Sequence, residues 1–373
     1  MKVVLAALPA FGHVYPLVPL ANALERTGAE VVFATGEEFE SRLPARTVPG
    51  AEGSWAFSDA TSEIERRMDQ LGGVAPPQAV GQTLFVELCA PHVVDVMTAV
   101  LEREPPDLVI FEQTNVGAAM AAYATGVRAA CLAIVGWGRQ WSMIYDAVAT
   151  MVRAPAAGAL AEVLIDPHPP FLAEVGTTPP FATLAMRPTA WSPDGMVPPW
   201  LLGPRRAPRV YLTMGTVFGS ADVLRAAALE IADTGCEVLV ATGPRIEPGA
   251  LGDLPALVHV EQEVPQRDVL PNVDLVVHHG GTGTVIGSLA SGLPQIVMPQ
   301  GADQFWNAEH LAAEGACRIV GGDGQPGSIA AAVTALTQQQ APERAAARRL
   351  GDVVARMPSP DAVARRLQES TVE

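Results

Sequence analysis

Strand and helix patterns alternate along the first half of the chain, and this alternation most constrains what the chain can fold into. Short apolar runs predict strands, and apolar residues at helical spacing predict the helices between them. The strands of this series are predicted at 2–8, 30–35, 107–112 and 128–135, and its helices at 15–27 and 116–125. A strand, a helix and a second strand in succession form a crossover unit, which joins parallel strands. We therefore expect an α/β fold with a parallel sheet.

A second series of the same kind follows a proline-rich stretch over 166–209 that lacks periodicity. Its strands are predicted at 210–214, 237–241, 257–260, 275–278, 295–299 and 317–320, and its helices at 220–234, 284–291 and 305–314. Ahead of the proline-rich stretch, 140–153 and 158–165 are predicted to be helical. Two such series within 373 residues fit two domains. We expect a first domain over 1–190, a linker over 191–208, a second domain over 209–357 and a C-terminal helix over 358–373.

The charge balance narrows the classes of partner. With 24 Lys and Arg residues against 40 Asp and Glu residues, the formal net charge is −16, which makes nucleic acid and anionic membrane surfaces poor partners. The 28 residues between Asp274 and Asp303 carry no charge, but their six glycines and two prolines argue against a membrane-spanning helix. We expect no membrane span, no secretion signal at the N-terminus and a cytoplasmic setting.

Cysteine and aspartate spacings give no sign of a metal site. The four cysteines lie far apart and form no Cys-x-x-Cys pair, so neither a zinc site nor a disulfide framework is indicated. No Asp-x-Asp sequence occurs either, so we expect no metal-clamped diphosphate. The sequence thus predicts no metal ion and no resident cofactor.

The strongest chemical signal is the run His278-His279-Gly280-Gly281-Thr282-Gly283-Thr284, which lies between a predicted strand and a predicted helix. Glycines let the backbone approach a ligand closely, and a helix N-terminus offers N–H groups and a partial positive charge to an anion. The run is neither a Walker loop nor the dinucleotide-binding glycine motif. It predicts a phosphate site, and a glycine-rich turn with two core histidines is the alternative.

Two segments flank this phosphate site in the sequence. Asp303 and Gln304 follow predicted strand 295–299, and an acid beside an amide can hydrogen-bond vicinal sugar hydroxyls. Upstream, Val264 lies in a turn over 263–266 whose backbone can meet the flat edge of a base. The order along the chain is therefore base, diphosphate and hexose.

The run from Val264 to Asn307, together with Gly12-His13-Val14-Tyr15-Pro16-Leu17 near the N-terminus, resembles the GT-B glycosyltransferases of family 1, and most of all their bacterial natural-product branch. The resemblance covers the whole chain and implies two facing doubly wound, Rossmann-like domains with a cleft between them. It implies that His279 contacts the donor α-phosphate and that Asp303 and Gln304 hold the sugar. The other donor-binding positions that it implies are Thr213, Gly215, Thr216, Val264, Gly281, Gly283 and Thr284.

His13 is the candidate general base. It follows the first predicted strand, where its imidazole can face the expected cleft, and histidine is the side chain that titrates near neutral pH. Glu112, at the end of predicted strand 107–112, is suited to orient the ring and to stabilise imidazolium. The family usually has Asp at this point, so Glu112 is a departure. A histidine with a purely structural role near a helix start is the alternative.

The resemblance also bears on the donor. Family members that use UDP-sugars commonly carry Glu in the helix after the phosphate loop, where it accepts hydrogen bonds from both ribose hydroxyls, and here Gly287 has that position. Without the carboxylate the 2′-hydroxyl loses an acceptor, whereas a deoxyribose loses nothing. We therefore expect a dTDP-deoxysugar as co-substrate. Because the acceptor attacks opposite the leaving diphosphate, we also expect inversion at the anomeric carbon.

Large apolar side chains of the first domain are candidates for the wall of an acceptor pocket, with core packing as their alternative role. They are Phe11, Phe85, Trp137, Trp141 and Met143. The expected reaction is transfer of a (deoxy)hexose to a hydroxyl of a hydrophobic natural-product aglycone. A UDP-sugar transferase, a C-glycosyltransferase and a non-catalytic homologue that activates a partner transferase remain alternatives, and a homodimer is left open.

Overall fold

The computed structural model of the chain describes residues 1–53, 55–70, 77–174, 176–193, 195–216, 219–321 and 328–369. The chain forms two compact domains. The first contains Met1–Arg187 and Pro358–Glu373, and the second contains Pro188–Met357. The segment 191–208, predicted to be a linker, lies in the second domain, and residue 194 is outside the described residues. The C-terminal segment returns to the first domain, and its last four residues are likewise outside the described part.

Seven parallel strands form the sheet of the first domain. They are β1 (Lys2–Ala6), β2 (Glu30–Thr35), β3 (Arg46–Pro49), β4 (Leu108–Glu112), β5 (Ala129–Leu132), β6 (Val163–Asp166) and β7 (Ala182–Ala185). Their order across the sheet is β3-β2-β1-β4-β5-β6-β7. Because β2 and β3 lie on one side of β1 and β4 lies on the other, the direction of winding reverses between β1 and β4. Ala6 pairs with Phe111 there, at the carboxyl ends of the two strands.

Helices connect the strands of the first domain. They are α1 (Phe11–Val14), α2 (Val18–Arg26), α3 (Phe57–Gln70), α4 (Pro77–Gly81), α5 (Ala90–Arg103), α6 (Val116–Thr125) and α7 (Arg139–Met151), with a π-helix over Gln82–Cys89 between α4 and α5. α6 begins where the Asn115 side chain accepts a hydrogen bond from the Ala118 N–H at 3.2 Å. It ends at Gly126, whose left-handed φ of 70° stops the helix. Local capping thus fixes the turn that follows β4.

Six parallel strands in the same kind of order form the sheet of the second domain. They are β8 (Arg209–Thr213), β9 (Glu237–Ala241), β10 (Val258–Glu261), β11 (Leu275–His278), β12 (Gln295–Val297) and β13 (Cys317–Ile319), in the order β10-β9-β8-β11-β12-β13. The helices of this domain are α8 (Pro199–Leu202), α9 (Ala221–Asp233), α10 (Gln266–Val269), α11 (Thr282–Ala290), α12 (Gln304–Ala313), α13 (Ser328–Leu336) and α14 (Pro342–Ala355). The winding reverses between β8 and β11, where Thr213 pairs with His278.

The C-terminal helix, α15 (Pro360–Glu369), packs on α2 of the first domain. Arg26 Nη2 lies 2.7 Å from Asp361 Oδ1, and the Gln368 side chain donates to the Thr27 carbonyl oxygen at 3.4 Å. The last helix of the chain therefore completes the surface of its first domain.

Several elements differ from the sequence-based expectations, among them strands β3, β6 and β7. Residues 158–165, predicted to be helical, hold only the end of a 3₁₀ turn over Ala157–Ala159 and then strand β6. The prediction was wrong because the buried residues Leu160, Ala161, Leu164 and Ile165 have helical spacing, whereas pairing with β5 and β7 makes Val163–Asp166 a strand. Strands β3 and β7 were not predicted because each is a four-residue strand at an edge of the sheet, and β7 also lies within the proline-rich stretch.

A continuous helical stretch over Ala79–Arg103 is long and apolar enough to cross a membrane by length and composition. Its buried side chains include Val86, Val93, Met97 and Leu101, which all belong to the core of the first domain. A third of its most apolar window is buried. The uncharged run over 275–302 is divided between β11, α11 and β12 and forms no continuous helix.

Candidate active site

A histidine and a glutamate meet where the first sheet reverses its winding. His13 lies in α1, just after β1, and Glu112 is the last residue of β4. Ligands of doubly wound sheets bind at this kind of position, beyond the carboxyl ends of the strands. The His13 Nδ1 lies 3.0 Å from Glu112 Oε1, so the structure brings the predicted base and its predicted partner together.

The Glu112 carboxylate is fully buried and is held by several donors. The Thr114 N–H donates to Oε2 at 2.7 Å, and the Thr114 hydroxyl lies 2.8 Å from both carboxylate oxygens. The Leu8 N–H donates to Oε1 at 3.4 Å. These hydrogen bonds satisfy a charge that would otherwise be costly to bury.

The tautomer of His13 follows from these partners. An ionised carboxylate can only accept hydrogen bonds, so the proton of the imidazole lies on Nδ1 and Nε2 carries the lone pair. The His13 side chain keeps 15% of its surface exposed, whereas that of Glu112 keeps none. The His13 ring therefore has an unprotonated Nε2 on a partly exposed side chain, and a buried carboxylate orients the ring. This is the geometry of a general base.

Two aromatic rings lie near the His13 ring, and one of them belongs to a predicted acceptor residue. The Phe57 ring lies 4.9 Å and the Phe85 ring 6.4 Å from the His13 ring, and Trp141 lies 5.7 Å from Phe85. Sequence reasoning identified Phe85 and Trp141 but missed Phe57.

The other three predicted acceptor residues lie elsewhere. Trp137 is buried in the core, with its ring 5.2 Å from Tyr145. Phe11 packs edge-on against Tyr15 and Phe39. Met143 is 53% exposed on α7.

In the second domain, the His279 ring is wedged between two glycines at the point where the winding reverses. A Cβ atom on Gly215 would lie 2.5 Å from His279 Cε1, and one on Gly281 would lie 3.0 Å from the same atom and closer still to Nε2. Gly215 also has a left-handed φ of 72°. Both positions therefore require glycine if the ring is to keep this place.

His279 is neutral and has an unused nitrogen. Burial lowers its pKa to about 4, although the nearby Asp303 carboxylate and a hydrogen bond with the Thr213 backbone act in the opposite direction. Its Nδ1 is buried and has no hydrogen-bond partner within the part of the chain that the structure describes. A buried polar atom of this kind is suited to a ligand that brings its own partner.

His278 has a different role from its neighbour. Its Nδ1 accepts a hydrogen bond from the Gly280 N–H at 3.0 Å, and its Nε2 lies 2.8 Å from Gln295 Oε1. Burial lowers the pKa of His278 to about 3, so the ring stays neutral. His278 thus links the glycine loop to β12. The alternative of a core histidine therefore applies to His278, whereas His279 faces the loop.

Helix α11 begins at this loop. Its first N–H groups, those of Thr282 and Gly283, have no acceptor within the helix and so point toward any anion at its N-terminus. Gly283 is exposed, whereas Thr284 is buried and its N–H donates to the Gly281 carbonyl oxygen at 3.0 Å. Of the two predicted diphosphate positions, Gly283 is the more accessible.

Asp303 and Gln304 both lie at the start of α12. Asp303 Oδ2 accepts hydrogen bonds from the Thr282 hydroxyl at 2.7 Å and from Asn307 Nδ2 at 2.9 Å. Gln304 is buried, and its Oε1 accepts from the N–H groups of Gln300 and Gly301. The carboxylate is therefore tied to the helix that bears the glycine loop, while the amide oxygen of Gln304 stabilises the preceding turn.

The remaining predicted donor residues lie around the same loops. Thr213 ends β8, and its hydroxyl accepts a hydrogen bond from the Gly215 N–H at 3.3 Å, with Thr216 one residue further on. Val264 is partly buried against an apolar cluster that includes Val269 and Leu270.

Gly287 lies on α11 in a tight space. A Cβ there would lie 3.1 Å from Leu270 Cδ1 and 3.3 Å from both Ala190 Cβ and Gln266 Nε2. A glutamate side chain at this position would require its neighbours to move.

Thr114 is the polar residue at the first site that sequence reasoning missed. Its hydroxyl lies 3.0 Å from His13 Nδ1 as well as 2.8 Å from both carboxylate oxygens. A threonine two residues after a carboxylate at a strand end was the available signal. Within the described ranges, no group of three or more His, Cys, Asp or Glu side chains is arranged to hold a metal ion.

Comparison with known proteins gives consistent matches. The family of the erythromycin biosynthesis protein CIII-like C-terminal domain matches residues 226–370. The chain is 33% identical to the L-demethylnoviosyl transferase of Streptomyces niveus, with 98% of this chain and 97% of that protein covered. It is 30% identical, with the same coverage, to the elloramycin glycosyltransferase ElmGT of Streptomyces olivaceus. The crystal structure of the Streptomyces sp. SF2575 glycosyltransferase SsfS6 with thymidine diphosphate is 25% identical and has a TM-score of 0.79, with 99% of both chains covered.

Two doubly wound parallel-sheet domains, together with these structural matches, define a glycosyltransferase of the GT-B fold. The fold class predicted from the sequence is thereby confirmed. The relatives narrow the class further: the chain belongs to the family 1 glycosyltransferases of bacterial natural-product biosynthesis.

Proposed function

We propose that this enzyme transfers a deoxyhexose from a dTDP-sugar to a hydroxyl group of a hydrophobic natural-product aglycone, with inversion at the anomeric carbon. The observation that carries the proposal is the contact between His13 Nδ1 and the buried Glu112 carboxylate at 3.0 Å. This contact leaves Nε2 of a partly exposed histidine free of its proton. A scaffold without catalytic activity would need no such pair.

The proposed reaction is a single displacement. His13 Nε2 takes the proton of the acceptor hydroxyl, and the oxygen forms a bond to the anomeric carbon as the bond from that carbon to the diphosphate oxygen breaks. Glu112 stabilises the imidazolium that forms. Because one bond forms on the face opposite to the bond that breaks, the product has the inverted configuration.

Negative charge develops on the diphosphate of dTDP as it leaves. The first-turn N–H groups of α11 are the groups proposed to stabilise it, and the His279 ring is proposed to contact the α-phosphate beside them. Asp303 is proposed to hold the sugar hydroxyls. These backbone donors would stabilise the diphosphate without a metal ion, so activity should persist in EDTA.

A dTDP donor is proposed on two grounds. Gly287 leaves no carboxylate for a ribose 2′-hydroxyl, and the solved structure of SsfS6 contains thymidine diphosphate. Calorimetry with the purified enzyme should therefore show tighter binding of dTDP than of UDP. UDP binding as tight as dTDP binding would contradict this part of the proposal.

Two variants test the preference for dTDP over UDP further. Gly287→Glu introduces the missing acceptor, and Leu270→Ala in the same chain makes room for it, because Leu270 Cδ1 lies 3.1 Å from the position of the new Cβ. The double variant should gain affinity for UDP relative to dTDP, whereas Leu270→Ala alone should leave the ratio unchanged.

The reaction itself is tested by a donor screen. Purified enzyme is incubated with dTDP-deoxysugars and UDP-sugars and a set of aromatic hydroxylated acceptors, and products are detected by mass spectrometry. We expect transfer from dTDP-deoxysugars, an oxygen-linked product and an inverted anomeric signal by NMR. Transfer only from UDP-sugars, or a carbon-linked product, would favour the corresponding alternative. No turnover with any donor would favour a non-catalytic partner protein.

A further inference from the structure

Thr114 lies beside both His13 and Glu112, and its hydroxyl contacts both side chains. Its hydroxyl oxygen, His13 Nδ1 and Glu112 Oε1 form a triangle with sides of 2.8, 3.0 and 3.0 Å. The same hydroxyl lies 2.8 Å from Oε2. Thr114 is buried, so no bulk water competes for these contacts.

The protons in this triangle can be assigned by elimination. A carboxylate accepts only, so the single hydroxyl proton of Thr114 goes to Glu112. The Thr114 oxygen then turns a lone pair toward Nδ1 of His13. The Nδ1 proton therefore lies between two acceptors, the carboxylate and the hydroxyl, and no donor faces Nδ1 from either group.

From this geometry we infer that Thr114 is a positioning residue for the proposed base, and the inference rests on the proposed function. Its hydroxyl holds the Glu112 carboxylate against His13 Nδ1 and adds a second acceptor there, and the two contacts together keep the Nδ1–H tautomer and the ring orientation. Nε2 then meets the acceptor hydroxyl with its lone pair. Groups that orient a functional imidazole through its other nitrogen set which nitrogen is basic.

Thr114 also accounts for glutamate at position 112. Glutamate has one more rotatable bond than aspartate, so a glutamate carboxylate needs additional contacts to be equally well oriented. Thr114 supplies two of them, its N–H to Oε2 and its hydroxyl to both oxygens. Threonine is suited to this because its branched Cβ restricts the first side-chain torsion.

Removal of the hydroxyl should leave the fold intact. Thr114→Val keeps the shape of the side chain, and the carboxylate keeps the N–H groups of Leu8 and Thr114 as donors. Thr114→Ser restores the hydroxyl without the methyl group. The two substitutions thus separate the hydrogen bond from the packing.

The first readout is the tautomer of His13, measured by 15N NMR on protein labelled at its seven histidines. His13→Ala identifies the His13 signals by difference. We expect the Nδ1–H tautomer in the wild-type protein and in Thr114→Ser, and a mixture of tautomers in Thr114→Val. Retention of the Nδ1–H tautomer in Thr114→Val would overturn the inference.

The second readout is turnover. Thr114→Val should lower kcat about tenfold while KM for the acceptor and the affinity for dTDP stay within about twofold, and Thr114→Ser should recover most of the loss. A kcat for Thr114→Val within twofold of wild type, or no recovery in Thr114→Ser, would overturn the inference. If Thr114→Val does not fold, Thr114→Ala against Thr114→Ser makes the same comparison.

The two readouts separate this inference from the proposed function. The tautomer is measured without substrate, so a protein with no transferase activity still reports whether Thr114 controls His13. Loss of the proposed function with a Thr114-dependent tautomer would therefore be distinguishable from failure of the inference itself.

Discussion

The candidate sites of the two domains lie at equivalent points of similar sheets and are built in opposite ways. In the first domain, the Glu112 carboxylate receives hydrogen bonds from Leu8 N–H, from Thr114 N–H and hydroxyl, and from His13. In the second domain, the His279 ring rests between glycines with a buried nitrogen that has no partner among the described residues. The first site has the hydrogen bonds of its carboxylate completed within the protein, whereas the second leaves a buried ring nitrogen without a partner among the described residues.

The difference fits two kinds of chemistry. A proton-transfer site must hold one tautomer in one orientation, which a completed network around a buried charge achieves. An anion site must offer unpaired donors and close backbone approach, which glycines and a helix N-terminus provide. The same sheet topology therefore supports either chemistry, and the loops after the strands decide which one is present.

The largest effect is expected from Glu112→Gln, which should lower kcat by about 10²-fold or more. An amide cannot stabilise imidazolium as a carboxylate does, and its NH₂ group can face Nδ1 and reverse the tautomer. The affinity for dTDP, measured by calorimetry, should change less than twofold.

A second carboxylate–histidine pair in the same domain is the matched control. Asp166 Oδ1 lies 2.8 Å from His168 Nδ1, at the end of β6. Burial alone would raise the pKa of Asp166, but the hydrogen bond and charge of His168 hold it below its usual value. Asp166→Asn should lower stability by about 1–3 kcal/mol and leave kcat within about twofold. Equal kcat losses in the two variants would show that the Glu112 effect is structural.

Gly281→Ala should weaken dTDP binding about tenfold or more. The new Cβ would overlap the His279 ring, so the ring or the loop must shift. Gly249→Ala is the control, because Gly249 lies in the 3₁₀ turn Pro248–Leu251 of the same domain and a Cβ there meets nothing within 4 Å. Calorimetric Kd values for dTDP that rise equally in both variants would contradict the proposed role of the ring.

Acid should destabilise the second domain. In the unfolded chain His278 and His279 gain protons near pH 6.5, whereas in the fold they stay neutral until about pH 3 and 4. Because the unfolded state binds more protons below pH 6.5, the free energy of unfolding falls as the pH drops from 6.5 toward 4. Each histidine should contribute about 2–3 kcal/mol to this loss by pH 4.5.

The acid effect is checked by Tm measured across this pH range. His278→Gln should have a lower Tm than wild type at pH 7.5, because the contacts of His278 with Gly280 and Gln295 are lost. Its Tm should nevertheless fall less steeply between pH 6.5 and 4.5. Parallel curves for the two proteins would show that His278 does not supply this pH dependence.

The sequence predicted the parts of the fold that depend on local pattern. The predicted bounds of β2, β9, β11 and α6 match the structure, because each is a compact apolar run with clear turn or cap signals at its ends. Strand β6 was mistaken for a helix and β7 was not predicted, because only pairing with neighbouring strands makes these short segments strands.

The residues of the two sites also differ in whether the sequence predicts them. His13, Glu112 and His279 follow from their places after strands, where ligands of such sheets bind. Thr114 follows Glu112 by two residues, but its contact with His13, like the approach of Phe57, depends on the path of the folded chain. That Gln304 uses its amide oxygen on Gln300 and Gly301 likewise depends on the turn that precedes α12.

The most direct test of this account is the rate of sugar transfer by His13→Ala, measured beside its calorimetric affinity for dTDP. If His13 is the base and the second domain holds the nucleotide, kcat should fall about 10³-fold while Kd for dTDP stays within about twofold. Sugar transfer by His13→Ala within about tenfold of the wild-type rate would contradict the assignment of His13 as the base.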